Sequence, residues 1–272
     1  MKTIISPVDF SPASINAANY AADLALATDS QLLLVNIFQI PISVTEVAIS
    51  DTVFNEMLDV SQDDLDELAS TLKDRTQGKV AIRTQVARGT IEGQMEELAM
   101  AEKPFALVMG IQDSTATERF FLGSHALHSI RHIFCPILIV PDHVNYYEIK
   151  KIGLACDLEH ASEIPFDKVS EWISAFQASL DIIHVSRTGM TSSKEVGETL
   201  SIHNMLNKFR PNFHFLKGKD IAEELREFSN LQALNLLIIF PKKHGIEDVF
   251  AEKHARKIIL RQSIPVLSVH TH

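Results

Sequence analysis

The chain has 272 residues, of which 46% are hydrophobic, and its formal net charge at pH 7 is −10. This length suits two domains of ordinary size, and the apolar content is sufficient to fill two cores. The acidic balance argues against general affinity for nucleic acids or anionic membranes, because such affinity requires a basic surface.

Signals for export, membrane insertion and metal binding are weak. No window approaches the roughly 18 unbroken apolar residues of a membrane helix. The opening "MKTIISPVDF" lacks the apolar stretch of a signal peptide. Cys135 and Cys156 are the only cysteines, which argues against a disulfide framework or a cysteine-based zinc site. We therefore expect a cytoplasmic protein without a metal site built from its own side chains.

Short apolar runs alternate with helical patterns along the first half. We predict strands at Thr3–Val8, Leu32–Phe38, Val80–Val86, Phe105–Met109 and Ile137–Val140. We predict helices at Ala13–Ala27, Val53–Thr76, Ile91–Ala101 and Ser124–Ile133. The runs are short and rich in β-branched residues and do not alternate strictly, which suits strands buried on both faces. Alternating strands and helices predict βαβ units and a parallel sheet with helices on both faces.

The second half continues this pattern. Its predicted strands lie near Lys151–Cys156, Leu180–Val185, Phe213–Leu216, Leu236–Phe240 and Val266–Val269. The polar stretch "PDHVNYYE" at Pro141–Glu148 separates the halves. We therefore predict two α/β domains in tandem, at residues 1–143 and 149–272.

The two halves resemble each other in sequence. "KTIISPVDFS" in the first half matches "KKIGLACDLE" in the second, which aligns Asp9 with Asp157 at an offset of 148. Further along, Gly89 aligns with Gly218 at an offset of 129. The first half therefore has 19 surplus residues, and they lie between Ile37 and Gly89.

The stretch "MGIQDSTATERFFLGSH", Met109–His125, follows the fourth predicted strand. Ligands of open parallel sheets bind at the carboxyl ends of strands, where Asp9 and Gly110 are both predicted to lie. Gly123 and Ser124 begin a helical pattern, and a helix N-terminus offers N–H groups and a positive dipole to a phosphate. The alternative interpretation is structural: Gly110 ends a strand, and the Gly-Ser pair starts a helix without binding a ligand.

Taken together, these features resemble the universal stress protein family in its tandem two-domain form. The resemblance rests on "PVDFS", the second strands, the glycine loop and "CPILIVP", and it covers nearly the whole chain. It implies two Rossmann-like domains of the adenine nucleotide alpha hydrolase type, packed as an intramolecular pseudo-dimer. In that pseudo-dimer Ile137–Val140 would pair with Val266–Val269, and a further homodimer is consistent with the family.

The resemblance also implies an adenine-nucleotide site in the first domain. Members that bind nucleotides carry Gly-x-x-Gly, nine further residues, and then Gly-Ser or Gly-Thr. The residues that occupy the matching site positions are Pro7, Val8, Asp9, Ile37, Met109, Gly110, Gly123, Ser124, His125 and Ala126.

Asp113 stands at the middle glycine position of that motif. A carboxylate there repels a phosphate by about 1 to 4 kcal/mol at 4 Å, depending on the local dielectric. The Asp113 carboxylate would favour phosphate binding only by holding Mg²⁺, since hard cations take carboxylate oxygens. We therefore expect weak binding of ATP, AMP or another adenine nucleotide, with or without Mg²⁺.

The second half departs further from the motif. Ala251, Glu252 and Lys253 stand where the Gly-Ser pair would lie, so we expect no nucleotide there. No nucleophile elbow, Walker lysine or catalytic-triad spacing occurs, and we expect a binding protein rather than an enzyme. Two other functions remain open: a scaffold or protein-interaction module of the same fold, and a slow ATP hydrolase.

Overall fold

The computed structural model describes residues 1–38, 51–112, 133–158, 163–186, 193–240 and 248–270. The chain forms two compact units, unit 1 at Met1–Tyr146 and unit 2 at Tyr147–His272. Each unit is an α/β structure in which strands and helices alternate along the chain.

The strands of unit 1 are β1 (Lys2–Pro7), β2 (Ser30–Phe38), β3 (Ile82–Arg88), β4 (Ala106–Ile111) and β5 (Ile137–Pro141). Its helices are α1 (Pro12–Ala27), α2 (Asp51–Arg75) and α3 (Ile91–Glu102). The helix predicted at Ser124–Ile133 lies, except for its last residue, outside the described residues.

The strands of unit 2 are β6 (Lys151–Ala155), β7 (Ser179–Ser186), β8 (Asn212–Lys217), β9 (Leu236–Ile239) and β10 (Val266–Ser268). Its helices are α4 (Phe166–Phe176), α5 (Ser193–Leu206), α6 (Ile221–Leu231) and α7 (Asp248–Arg261).

Within each unit all the described strand pairs are parallel. The strand order is β3-β2-β1-β4-β5 in unit 1 and β8-β7-β6-β9-β10 in unit 2. In each unit the second and third strands lie on one side of the first strand, and the fourth and fifth lie on its other side, which creates a switch in strand order. The predicted α/β fold class with parallel sheets is confirmed.

Helix α1 shows how the sequence positions an element over this sheet. Ser11 is its N-cap, and the Ser11 Oγ accepts a hydrogen bond from the Ser14 backbone N–H at 3.2 Å. Pro12 follows at the first position, where its missing N–H has no cost. The buried side of α1 is rich in alanine, with Ala17 and Ala21 fully buried. Such small side chains let the helix lie close to β1 and β4.

The sequence repeat is also a structural repeat. The Val8 N–H donates to the Val35 carbonyl at 2.8 Å, and Cys156, 148 residues later, donates in the same way to Ile183 at 3.0 Å. Asn36 Nδ2 donates to the Val8 carbonyl at 2.8 Å. Its counterpart His184 places Nδ1 3.2 Å from the Cys156 carbonyl. In both units, therefore, a side chain from the second strand hydrogen-bonds the backbone at the end of the first strand.

The edge strands differ from the expectation of burial on both faces. In β3 and β8, half-buried and exposed side chains predominate, whereas β4 and β9 are almost wholly buried. Strands β5 and β10, at the opposite end of each unit's strand order, are buried. Strand β3 also lies two residues later than predicted, because its pairing with β2 continues to Phe38 and Arg88.

Candidate functional site

The candidate site lies at the carboxyl edge of the unit 1 sheet, at its switch in strand order. Strands β1 and β4 are neighbours there, although β2 and β3 come between them in the chain. The connection after β1 carries Asp9, and β4 carries Gly110 near its end. Open parallel sheets place their ligands at such a position.

An open cavity of about 60 Å³ occupies this position, enough room for about four to six water molecules. Its lining residues are Pro7, Val8, Asp9, Ser11, Ala13, Ser14, Val35, Ile37, Ile91, Met109 and Gly110. The aliphatic side chains among them form apolar walls, and Asp9 with the two serines forms a polar side. The cavity is open to solvent, and the half-buried Ile91 of α3 contributes to its lining.

Six of the ten sequence-predicted site residues line this one cavity: Pro7, Val8, Asp9, Ile37, Met109 and Gly110. The other four, Gly123, Ser124, His125 and Ala126, lie outside the described residues, as does Asp113.

Five further lining residues were not predicted from the sequence: Ser11, Ala13, Ser14, Val35 and Ile91. A signal for Ser11 is present in the sequence, because "SP" is a typical start of a helix. No pattern in the sequence indicates that Ile91, the first residue of α3, approaches β1 and β4.

Asp9 is held by a tight turn between β1 and α1. The Ser11 N–H donates to Asp9 Oδ1 at 3.0 Å, and the Asp9 N–H donates to Ser14 Oγ at 3.3 Å. Partial burial acts to raise the pKa of Asp9, but the hydrogen bonds from Ser11 and Ser14 hold it below its ordinary value. Asp9 is therefore a carboxylate at neutral pH, and a carboxylate only accepts hydrogen bonds. It suits a ligand that presents amino or hydroxyl hydrogens.

Phe10 occupies an unfavourable backbone conformation in the same turn. Its φ angle is +61°, in the left-handed region that bulky residues rarely adopt. Such a residue costs on the order of 1–3 kcal/mol and persists only where its surroundings impose it. Here the turn between Asp9 and Ser11 imposes it, and it directs α1 back over the cavity.

Gly110 allows α1 to pack against β4. A Cβ atom at this position would lie 2.2 Å from the Ala13 carbonyl oxygen and 2.5 Å from the Ala13 carbonyl carbon. Both are backbone atoms and cannot give way as a flexible side chain would. The structural interpretation of Gly110 is therefore sufficient to explain a glycine here, whether or not a phosphate also approaches it.

The corresponding edge of unit 2 has different chemistry. Cys156 is buried, which raises the pKa of its thiol to about 12, so it is protonated and unreactive at neutral pH. Asp220, at the start of α6, pairs with Lys257 and Arg261 of α7 at 2.7 and 2.8 Å. These ion pairs use basic side chains of α7 that would otherwise be available to an anion.

Neither a metal cluster nor a membrane-spanning helix is found in the parts of the chain that the structure describes. No three His, Cys, Asp or Glu side chains there come together as potential metal ligands. No helix there has the length and apolar character needed to cross a bilayer.

Comparison with known proteins places the chain in a family. The family model of the universal stress proteins matches residues 1–141. A universal stress protein of Methanocaldococcus jannaschii is 28% identical over 140 residues, which are 51% of this chain and 81% of that protein.

Two solved structures share the fold across both units. A universal stress protein from Archaeoglobus fulgidus has a TM-score of 0.72 at 15% identity, covering 99% of this chain and 96% of that one. A functionally unknown protein from Pseudomonas aeruginosa has a TM-score of 0.63 at 14% identity, covering 100% and 93%. Since the family model spans more than half of the sequence, the chain belongs to the universal stress protein family.

Proposed function

We propose that unit 1 binds an adenine nucleotide weakly, as a ligand rather than as a substrate. One observation carries the proposal: six residues predicted from the family's site line one cavity at the switch point of the sheet. These six come from β1, β2, β4 and the turn after β1, and only the tertiary fold brings them together.

The chemistry of the cavity suits adenosine better than phosphate. Its apolar walls fit the faces of a purine ring, which gains from burial of apolar surface. The Asp9 carboxylate accepts hydrogen bonds from an adenine amino group or from ribose hydroxyls. By the family resemblance, the phosphates would extend toward residues 123–126, where Gly123 and Ser124 start the predicted helix.

Two substitutions at equivalent positions of the repeat test the base and ribose end of the site. Asp9→Asn keeps an oxygen that accepts the Ser11 N–H but removes the charge, so the affinity for Mg-ATP and AMP should fall about fivefold. Asp157→Asn, 148 residues later, is the matched control and should change nothing. Isothermal titration of the full chain measures both, and equal affinities for wild type and Asp9→Asn would contradict the proposal.

Two further substitutions test the phosphate end. Gly123→Glu should abolish ATP binding while the circular dichroism spectrum stays that of the folded protein.

Asp113→Gly should tighten ATP binding by roughly 1–2 kcal/mol, about five- to thirtyfold, because it removes a like charge. If Asp113 instead holds Mg²⁺, the substitution weakens Mg-ATP and spares metal-free ATP. Unchanged affinity in all these variants would favour the scaffold function.

A further inference from the structure

The amino-terminal part of α2 has no helical counterpart among the described residues of unit 2, whose helix α5 begins at Ser193. At the offset of 129 that aligns Gly89 with Gly218, the first residue of α5, Ser193, aligns with Asp64. Helix α2 begins at Asp51. Residues 51–63, which we call the α2 extension, are therefore part of the surplus sequence of the first half.

The α2 extension contributes no fully buried side chain to the described core of unit 1, and it contacts the sheet through a hydrogen bond from Gln62 Nε2 to Thr84 Oγ1 of β3 at 3.0 Å. Every side chain described between residues 52 and 63 is exposed or half-buried. The buried residues of α2 begin only at Leu65 and continue with Ala69 and Leu72. A solvated helix gains little stability from its backbone hydrogen bonds alone, so the exposed apolar side chains of the extension are not explained by the fold of unit 1.

The α2 extension nevertheless exposes large apolar side chains. Met57 is 42% exposed and Val60 is 59% exposed, and Val53 is 48% exposed. The spacing i, i+4, i+7 places the three on one side of the helix. At 100° per residue, this apolar face lies about 100° around the helix from the face of Leu65 and Leu72. The same helix thus has a core-facing stripe and a separate apolar face toward solvent.

The charge around this apolar face restricts what can cover it. Residues 51–67 contain seven acidic side chains, and the first basic residue of α2 is Lys73. A second copy of the chain would bring two such acidic helices together, and like charges in contact repel. Nucleic acids and anionic membranes are repelled for the same reason. A cationic protein segment gains from the charges and also covers the apolar side chains.

We propose that the α2 extension is a docking site for a cationic amphipathic helix of a partner protein. Aliphatic side chains of the partner would cover Met57 and Val60, in the manner of helix-to-helix recognition. Its Lys or Arg residues would pair with acidic side chains such as Glu56 and Asp63. This site is separate from the cavity at Asp9, so the proposal does not depend on nucleotide binding.

The probe for this proposal is a designed helical peptide of about 18 residues, with leucine on one face and lysine elsewhere. Fluorescence anisotropy measures its binding to the full chain. The double variant Met57→Ser, Val60→Ser should bind it about tenfold more weakly. The matched control is Val196→Ser, Leu200→Ser on α5, where the two side chains are 50% and 58% exposed and the helix carries only two glutamates against one lysine. The control should bind like wild type, and a peptide with glutamate in place of lysine should not bind.

Four results would overturn the proposal. Loss in neither double variant would mean that the peptide binds by charge alone, and equal loss in both would mean that it binds any exposed apolar side chains. A lower melting temperature of the Met57, Val60 variant would mean that these side chains pack within the chain itself. Self-association of the wild type that the variant abolishes, measured by sedimentation, would assign the face to a second copy. Nucleotide affinity should be the same in all variants, so this test and that of the proposed function fail separately.

Discussion

At the scale of single residues, Gly110 makes the packing of α1 on β4 possible. Gly110→Ala would place a methyl group 2.2 Å from the Ala13 carbonyl oxygen, and we expect a loss of roughly 1–3 kcal/mol in the free energy of unfolding. Urea denaturation measures this loss. Gly197→Ala is the control: the glycine lies within α5 with nothing within 4 Å of its added Cβ. That substitution should stabilise by about 0.5–1 kcal/mol, because alanine favours a helix.

Asp181 is a buried carboxylate whose partners come from the neighbouring strands of unit 2. Its side chain is 1% exposed, and Lys151 Nζ lies 3.1 Å from Oδ2. Asn212 Nδ2 donates to Oδ1 at 3.0 Å, and His214 Nε2 lies 3.0 Å from the same oxygen. Burial alone would raise the pKa of Asp181, but hydrogen bonds from His214, Asn212 and Lys151 hold it below its ordinary value of 3.8.

This lowered pKa gives a pH dependence with a definite sign. Ionised Asp181 stabilises the fold above its unfolded pKa, and the contribution is lost as the pH falls below about 3.8 through the lower folded value. Asp181→Asn should cost about 1–3 kcal/mol at pH 7. The unfolding free energies of variant and wild type should therefore converge in acid. Urea denaturation between neutral pH and the acid range measures both, and parallel pH profiles would contradict this role.

At the scale of elements, the segment after β5, residues 142–146, packs against and hydrogen-bonds to α1. Asn16 Nδ2 donates to the carbonyl oxygens of Pro141 and Val144 at 3.1 and 2.9 Å. The rings of Tyr20 and Tyr146 meet edge to face with centroids 5.1 Å apart. Helix α1 thus fixes the end of unit 1 as well as covering its sheet.

Asn16→Ala should loosen that segment. Two backbone acceptors lose their donor, so we expect a loss of about 1–2 kcal/mol and faster hydrogen exchange in residues 142–146. Asn19→Ala is the control, since Asn19 Nδ2 donates to Ile15 within the same helix. It should leave exchange in that segment unchanged. Faster exchange of residues 142–146 in Asn19→Ala, or unchanged exchange in Asn16→Ala, would show that the two Asn16 hydrogen bonds do not hold the segment.

At the scale of the whole molecule, the repeat predicts one nucleotide per chain. The second half carries Glu252 where the motif requires Gly123, and a carboxylate at a helix start competes with a phosphate for the same N–H groups. Isothermal titration with Mg-ATP should therefore give a stoichiometry near one. A stoichiometry of two would mean that unit 2 binds nucleotide through other residues.

The predicted pairing of Ile137–Val140 with Val266–Val269 stays a prediction. If these strands pair, their amides exchange slowly in the full chain and faster when either half is expressed alone. Equal exchange rates in the two cases would contradict the pseudo-dimer.

The sequence by itself determined the order and type of the described elements in each unit. Apolar runs and helical spacing are local properties, so they predicted the α/β class and the ends of β1 and β4 closely. Asn36 and His184 are equivalent at the offset of 148, and the structure places both beside the end of a first strand. At β3 the prediction was two residues early, because the extent of that strand depends on its pairing with β2.

Only the tertiary structure decided what surrounds the candidate site. The approach of Ile91 and Val35 to Asp9 depends on strand order, which no local pattern contains. The need for glycine at position 110 depends on the distance between α1 and β4. The cluster around Asp181 likewise joins residues from three strands that are far apart in sequence. Local periodicity determines which segments become strands and helices, whereas side-chain contacts between them follow from how the strands are ordered and how closely the helices pack.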